Sequence, residues 1–315
     1  MTTQPASSAP VVVGVDLTGP DSDAIAWAAA EAGRRQAPLL IVTAFPWPPP
    51  RTGGPHPGTA YRSAVHERSA AHLADAAALA TGSAPGVAVS TRMMIGPAAV
   101  ALVAASRTAQ LLVLGAGMDG ATGSAVVATI SRAACPVVVV RGGRRSDRPD
   151  GAALPVVVGI DGTSRSEAAT GFAFASAAGR GAPLVAVHTS AEPVFGTGTD
   201  LLVGPMALVH EALLVERIRP WAAAYPDVPV ERVIARGHAA SVLLDRARSA
   251  QLLVVGSHGH TGLLGRLLGS VSRAAVQRSS CPVAVVRESP AGMHGGRSER
   301  LRVPALAADA PMEEY

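Results

Sequence analysis

The chain contains no lysine and no asparagine, so all 27 of its Lys/Arg residues are arginine. That absence excludes a Schiff-base lysine, the lysine of a Walker-type phosphate loop and the strand lysine of a protein kinase. Cysteine occurs only twice in 315 residues, too rarely for a disulfide framework. Aromatic residues make up 3% of the chain, which leaves little material for a base-stacking nucleic-acid surface. Charge is sparse as well: 16% charged against 48% hydrophobic residues describes a globular chain, not a disordered one. The longest run without a charge, Ser249 to Gly265, spans 17 residues. It is Gly-rich, carries two histidines and is too short and polar to cross a bilayer. Met1 to Pro10 has neither a basic segment nor an apolar one. No signal peptide or membrane span is therefore expected, and the cytoplasm is the expected compartment.

The formal charge of +4 is small for this length and its arginines are dispersed. The densest cluster, Arg141, Arg144, Arg145 and Arg148, has Asp147 within it and Asp150 just after it and lies in a Gly/Pro-containing stretch. It reads as a solvated linker in preference to a nucleic-acid patch.

What is present above all is repetition. VVVGVD at Val11 to Asp16 returns as VVVGID at Val156 to Asp161, and AQLLVLG at Ala109 to Gly115 returns as AQLLVVG at Ala250 to Gly256. CPVVVVR at Cys135 to Arg141 returns as CPVAVVR at Cys281 to Arg287. Three matched blocks in one order mean two copies of a single unit, which agrees with about two domains for a chain of this length. The expected organisation is a disordered start (1–10), domain 1 (11–141), a linker (142–153), domain 2 (154–288) and a disordered tail (289–315).

Within each copy, short β-branched runs alternate with Ala-rich stretches, the pattern of βα units around a parallel sheet. Uninterrupted apolar runs such as VVVV fit strands buried on both faces. Domain 1 strands are expected near Val11–Asp16, Leu39–Ala44, Val87–Met94, Gln110–Gly115 and Pro136–Arg141. Those of domain 2 are expected near Pro155–Asp161, Leu184–Thr189, Val230–Arg236, Gln251–Gly256 and Pro282–Arg287. Four helices fall between the five strands of each copy. PWPPPRTGGPHPG, within Pro46 to Thr59, and its counterpart at Ser190 to Gly204 read as surface loops.

Ligands of open parallel sheets sit beyond the carboxyl ends of the strands, where adjacent crossovers diverge. In domain 2 those ends offer Asp161, then His188 and Thr189, then GSHGHTGLLGRLLGSVS after the fourth strand. The last run contains Gly256-x2-Gly259-x9-Gly269-Ser270, in which glycines expose backbone amides and Gly269-Ser270 opens a helix. Such an arrangement can cradle phosphate without lysine.

The spaced glycine run, the first strand ending in Asp, the GSHG tetrapeptide and the CPV strand together resemble the universal stress protein family, in a tandem two-domain form. The resemblance runs from about Val11 to Arg287. It implies an α/β fold of two open, five-stranded parallel-sheet Rossmann-like domains of the adenine nucleotide alpha hydrolase-like kind. It also implies an ATP site in domain 2, with or without Mg2+. By that resemblance Asp161 lies beside the adenosine moiety and Thr189 lines the adenine pocket. Val255, Gly256, His258 and Gly259 surround ribose and phosphates, and Gly269, Ser270, Val271 and Ser272 hold the phosphate tail. The last strands of the two domains would pair as an intrachain pseudo-dimer, which could dimerise further and meet a protein partner.

Domain 1 departs from the pattern. Only seven residues separate Gly115 from Gly123, where domain 2 has twelve between Gly256 and Gly269, and Met118 stands in place of Gly259. Weak nucleotide binding, or none, is expected there. Plainer roles compete at several positions. Asp16 and Asp161 could serve a turn or cap the next helix, and His188 could be structural. His258 and His260 suit phosphate contact or solvation better than metal binding. Cys135 and Cys281 suit packing better than redox chemistry, and Trp27, Trp47 and Trp221 suit packing or a loop. At the level of function, a nucleotide-dependent stress or dormancy regulator competes with a slow ATPase and with an ATP-independent interaction module. A nucleotidyl transferase is disfavoured because VGIDGTSRS lacks the expected histidines.

Overall fold

A computed structural model of the chain describes residues 9–16, 21–45, 59–116, 123–141, 153–190, 205–257 and 268–287. Most of the expected terminal disorder, of both long loops and of the linker lies outside these residues. Domain 1 runs β1 (Val11–Val15), α1 (Ser22–Arg34), β2 (Leu39–Phe45), α2 (Thr59–Ser83), β3 (Val89–Ile95), α3 (Ala98–Ser106), β4 (Leu111–Gly115), α4 (Ser124–Ile130) and β5 (Val137–Val140). Domain 2 repeats it with β6 (Val156–Gly159), α5 (Glu167–Ala178), β7 (Leu184–Ser190), α6 (Pro205–Ala224), β8 (Val230–Arg236), α7 (Ala239–Arg246), β9 (Leu252–Gly256), α8 (Ser270–Arg278) and β10 (Val283–Val286). None of the helices described is long and apolar enough to cross a membrane.

The strands are apolar because helices cover both of their faces. Val11, Val13 and Val15 join Ala28, Leu73, Phe174 and Leu214 in one core layer. Val12, Leu40 and Leu112 join Leu102, Ile130, Leu243 and Val276 in the other. Successive residues of one strand thus enter opposite layers, and each buried valine contributes about 1.5–3 kcal/mol.

The two five-stranded sheets form one continuous sheet in the order β3-β2-β1-β4-β5-β10-β9-β6-β7-β8. Neighbours are parallel except β5 and β10, which run antiparallel with Val138 opposite Ala284. The pairing expected between the last strands is therefore present within the chain, and it removes two apolar edges that would otherwise invite aggregation. Outer strands β3 and β8 carry Arg92, Glu231 and Arg232, charges suited to an exposed edge.

The join is pseudo-symmetric. At the end of β5, Arg141 donates from Nη2 to the Val276 carbonyl in α8 at 2.8 Å, and at the end of β10, Arg287 donates to the Ser131 carbonyl just past α4. Each guanidinium meets the negative end of the other domain's helix. Arg141 is thus a half-buried interdomain clasp and not a solvated linker residue. Its role depends on a partner 135 positions away, which a local charge count does not reveal. The AQLL blocks have a related purpose: Gln110 donates from Nε2 to the Ala9 carbonyl at 2.7 Å, and Gln251 donates likewise to Leu154, tying down the chain before each first strand.

Between α1 and α5 the guanidinium of Arg35 lies 5.3 Å from the Phe172 ring centroid, and that of Arg180 lies 5.6 Å from Trp27. A single carboxylate sits among these groups. Glu31, 2% exposed, pairs with Arg180 at 2.6 Å, with Arg35 at 2.6 Å and with Arg34 at 3.1 Å. Burial alone would raise its pKa, but Arg180, Arg35 and Arg34 outweigh burial and hold it below the ordinary value. Burial pushes Arg180 down to about 10, so the pair is still ionised at neutral pH.

Candidate functional site

The site grows out of the end of β6. A Cβ on Gly159 would come within 2.8 Å of Leu243 Cδ1, so the glycine allows α7 to pack tightly beneath the strand end. The chain then turns through Gly162 at φ +80°, a conformation suited to glycine. Asp161 Oδ1 accepts from the Thr163 amide at 3.0 Å and from Thr163 Oγ1 at 2.8 Å. Asp161 therefore orders this turn, as one of its plainer readings required, but it does not cap the next helical turn. Thr163 does, accepting the Arg165 amide at 3.3 Å. Asp16 does not cap α1 either; its amide donates to Asp21 Oδ2, and Asp21 occupies the N-cap position.

Next to β6, strand β7 delivers His188, Thr189 and Ser190. His188 is buried, its Nδ1 lying 2.8 Å from the Ile160 carbonyl and its Nε2 lying 3.0 Å from His210 Nδ1 on α6. Its two expected roles coincide, since it holds the strand end and also lines the cavity beyond it.

On the other side of β6, strand β9 ends at Gly256 and α8 begins after Gly269. Ser272 Oγ donates to the Gly256 carbonyl at 2.5 Å, pinning the helix start to the strand end. The Arg273 amide makes the first bond of the helix, to Gly269, at 2.9 Å. The amides of Ser270, Val271 and Ser272 precede it and have no partner within the helix. With no acidic residue in its first turn, this helix end presents positive potential.

These pieces enclose a cavity of about 540 Å³, within the roughly 300–1,000 Å³ common for small-ligand sites. Eight of the ten residues expected at the site line it: Asp161, Thr189, Val255, Gly256, Gly269, Ser270, Val271 and Ser272. His258 and Gly259 lie outside the described residues. The sequence reading missed the far wall, made by His210 and Leu213 of α6 and by Ala239 and Leu243 of α7. A search at strand ends does not reach side chains that helices bring in; the only available signal was a second histidine 22 positions after His188.

The cavity is polar towards α8 and apolar along Ile160, Val187, Leu213 and Leu243, which suits a ligand with an anionic end and a flat, weakly polar body. Among the described residues Asp161 is the only carboxylate in its lining, and no group of three His, Cys, Asp or Glu could hold a metal ion. Cys135 and Cys281 are buried thiols in the core, and burial pushes Cys135 up to about 12. Such a thiol is unreactive at neutral pH.

Comparison with known proteins agrees with the fold and the duplication. The profile of the universal stress protein family matches residues 8–141 and 154–287. A universal stress protein of Mycolicibacterium smegmatis is 37% identical over 302 residues, covering 90% of this chain and 99% of the relative. One from Mycobacterium tuberculosis strain H37Rv is 36% identical over 296 residues, covering 89% and 97%. The crystal structure of a universal stress protein from Archaeoglobus fulgidus superposes with a TM-score of 0.66, covering 89% of this chain and 97% of that one, at 16% identity.

Proposed function

This chain belongs to the universal stress protein family, and on that premise we propose that it is a nucleotide-dependent stress or dormancy regulator that binds ATP in its second domain. One observation carries the reading: the cavity at the ends of β6, β7 and β9 joins the unpaired amides of α8 to an apolar cleft. The phosphates lie on the amides of Ser270, Val271 and Ser272, where the helix dipole favours negative charge. The base lies between β6 and α6. Asp161, between the two, faces the ribose, and a Mg2+ accompanying the phosphates would find a carboxylate partner there.

The activity proposed is binding, not turnover. Hydrolysis calls for a group that orients water and for carboxylates that place a metal, and the described part of the lining offers a single carboxylate already engaged with Thr163. Occupancy would instead bias a surface read by a protein partner. Equilibrium dialysis with labelled ATP tests the site. The wild-type chain should bind, and Gly269→Val, which sets a branched side chain at the mouth of the helix, should not bind while still folding. No binding by the wild-type chain at millimolar ATP would overturn the proposal and favour an ATP-independent interaction module.

A further inference from the structure

We propose that His188 and His210 form a hydrogen-bond relay that makes His210 Nε2 an acceptor, selecting a purine with an amino group at position 6 over one with a carbonyl there. The inference rests on the nucleotide reading of the same cavity and adds the residue that reads the base. It starts from the one direction that is fixed. His188 Nδ1 lies 2.8 Å from the Ile160 carbonyl, and a carbonyl only accepts, so Nδ1 carries the proton. In the neutral ring Nε2 is then a lone pair, and the contact of 3.0 Å to His210 requires His210 Nδ1 to donate. With its proton on Nδ1, neutral His210 has a lone pair on Nε2.

That nitrogen is buried and has no hydrogen-bond partner among the described residues. An unsatisfied buried acceptor is costly, and His210 lines the cavity, so a base that displaces what covers Nε2 can satisfy it with a donor. The strand order fixes which part of the ligand arrives there. β6 lies between β9 and β7, so the start of α8 and the histidine pair are separated by two strand spacings, about 10 Å. A nucleotide with its phosphates on α8 therefore brings its base to His210. Leu213 beside it supplies an apolar wall for the ring. An exocyclic amine donates to the lone pair, whereas a carbonyl at the same position sets acceptor against acceptor. A ribose hydroxyl can donate or accept, so it would not need a fixed polarity.

The test compares ATP, ITP and purine riboside triphosphate, which has no group at position 6, on the wild-type chain by titration calorimetry. The titrations are run at pH 8. ATP should bind about tenfold tighter than either analogue, the effect of one buried hydrogen bond. In His210→Phe, with folding checked by circular dichroism, ATP and ITP should converge to within about twofold. Equal affinity for ATP and ITP in the wild-type chain would overturn the relay and leave nucleotide binding standing. A preference that survives intact in a folded His210→Phe would also overturn it. Binding of none of the three would overturn the nucleotide reading itself.

Discussion

The two domains share strands, helices and order, yet at equivalent positions around the strand ends they have diverged. The carbonyl that ends the first strand is held in both: Thr43 Oγ1 donates to Val15 at 3.1 Å in domain 1, and His188 takes that place on Ile160 in domain 2. Thr43 completes a local bond and stops there, while His188 passes on to His210. Beyond it, Ala44 and Phe45 stand where domain 2 has Thr189 and Ser190. Val126 stands where Ser272 pins α8 to Gly256. Most telling is Asp21. Its Oδ1 lies 2.6 Å from where a Cβ on Gly115 would be, and Oδ2 holds the Asp16 amide at 2.5 Å. A carboxylate thus sits at the strand end that in domain 2 adjoins the start of α8. The equivalent residue there, Ser166, bonds the Thr163 carbonyl at 2.9 Å instead. The shorter spacing from Gly115 to Gly123 in domain 1 is therefore one of several changes, and on the proposed reading Asp21 would repel the phosphates of a nucleotide there. On the same reading, duplication preserved the scaffold and freed one copy of the site.

The interdomain contact shows the same asymmetry and gives the largest expected effect. Glu31 of α1 corresponds to Ser176 of α5. Glu31→Ala leaves Arg180 buried without its carboxylate and should destabilise the chain by about 3–5 kcal/mol in urea unfolding. Ser176→Ala removes a buried hydroxyl that has no partner among the described residues and should change stability by less than about 0.5 kcal/mol. Equal effects would mean that the carboxylate is not the keystone of the join. The same pair sets an acid limit. Because the folded pKa of Glu31 lies below the ordinary value of 4.5, its contribution is complete above that pH and is lost as pH falls through the folded value. Stability of the wild-type chain should fall in that window more steeply than that of Glu31→Gln.

A second contrast concerns packing. A Cβ on Gly171 would approach the Trp221 ring to 2.4 Å, so Gly171→Ala should cost about 1–3 kcal/mol by overpacking α5 against α6. The equivalent residue in α1 is Ala26, where Ala26→Gly should cost only the helix-propensity difference of about 1 kcal/mol. The third contrast is the smallest. Ser272→Val installs the domain 1 residue in domain 2 and should weaken ATP by about tenfold through loss of the helix-to-strand pin. The reverse change, Val126→Ser, should not create binding in domain 1, because Asp21 remains. Dialysis of both variants checks the pair.

Most of the scaffold was legible because its signals are local. β-branched runs such as VVVV mark doubly covered strands, and the repeated blocks place the domain boundaries. Eight site residues were legible because a parallel sheet fixes where ligands gather and because Gly-Ser marks a helix start. What escaped depends on long-range meetings. Arg141 read as linker until its guanidinium was seen on Val276, Glu31 gave no sign of Arg180 149 positions away, and His210 reaches the cavity only because α6 packs over β7. Asp21 escaped for the same reason, since its closeness to Gly115 is made by the fold and not by spacing.

One domain is proposed to keep the nucleotide site and the other to have lost it. Nucleotide released by denaturation from freshly purified protein, and again after incubation with ATP and Mg2+, measures it directly when quantified by chromatography against protein concentration. The account predicts one adenine nucleotide per chain, lost in Gly269→Val. Two per chain would contradict it by showing that domain 1 binds despite Asp21 and the short loop, and none would remove the nucleotide from the account altogether.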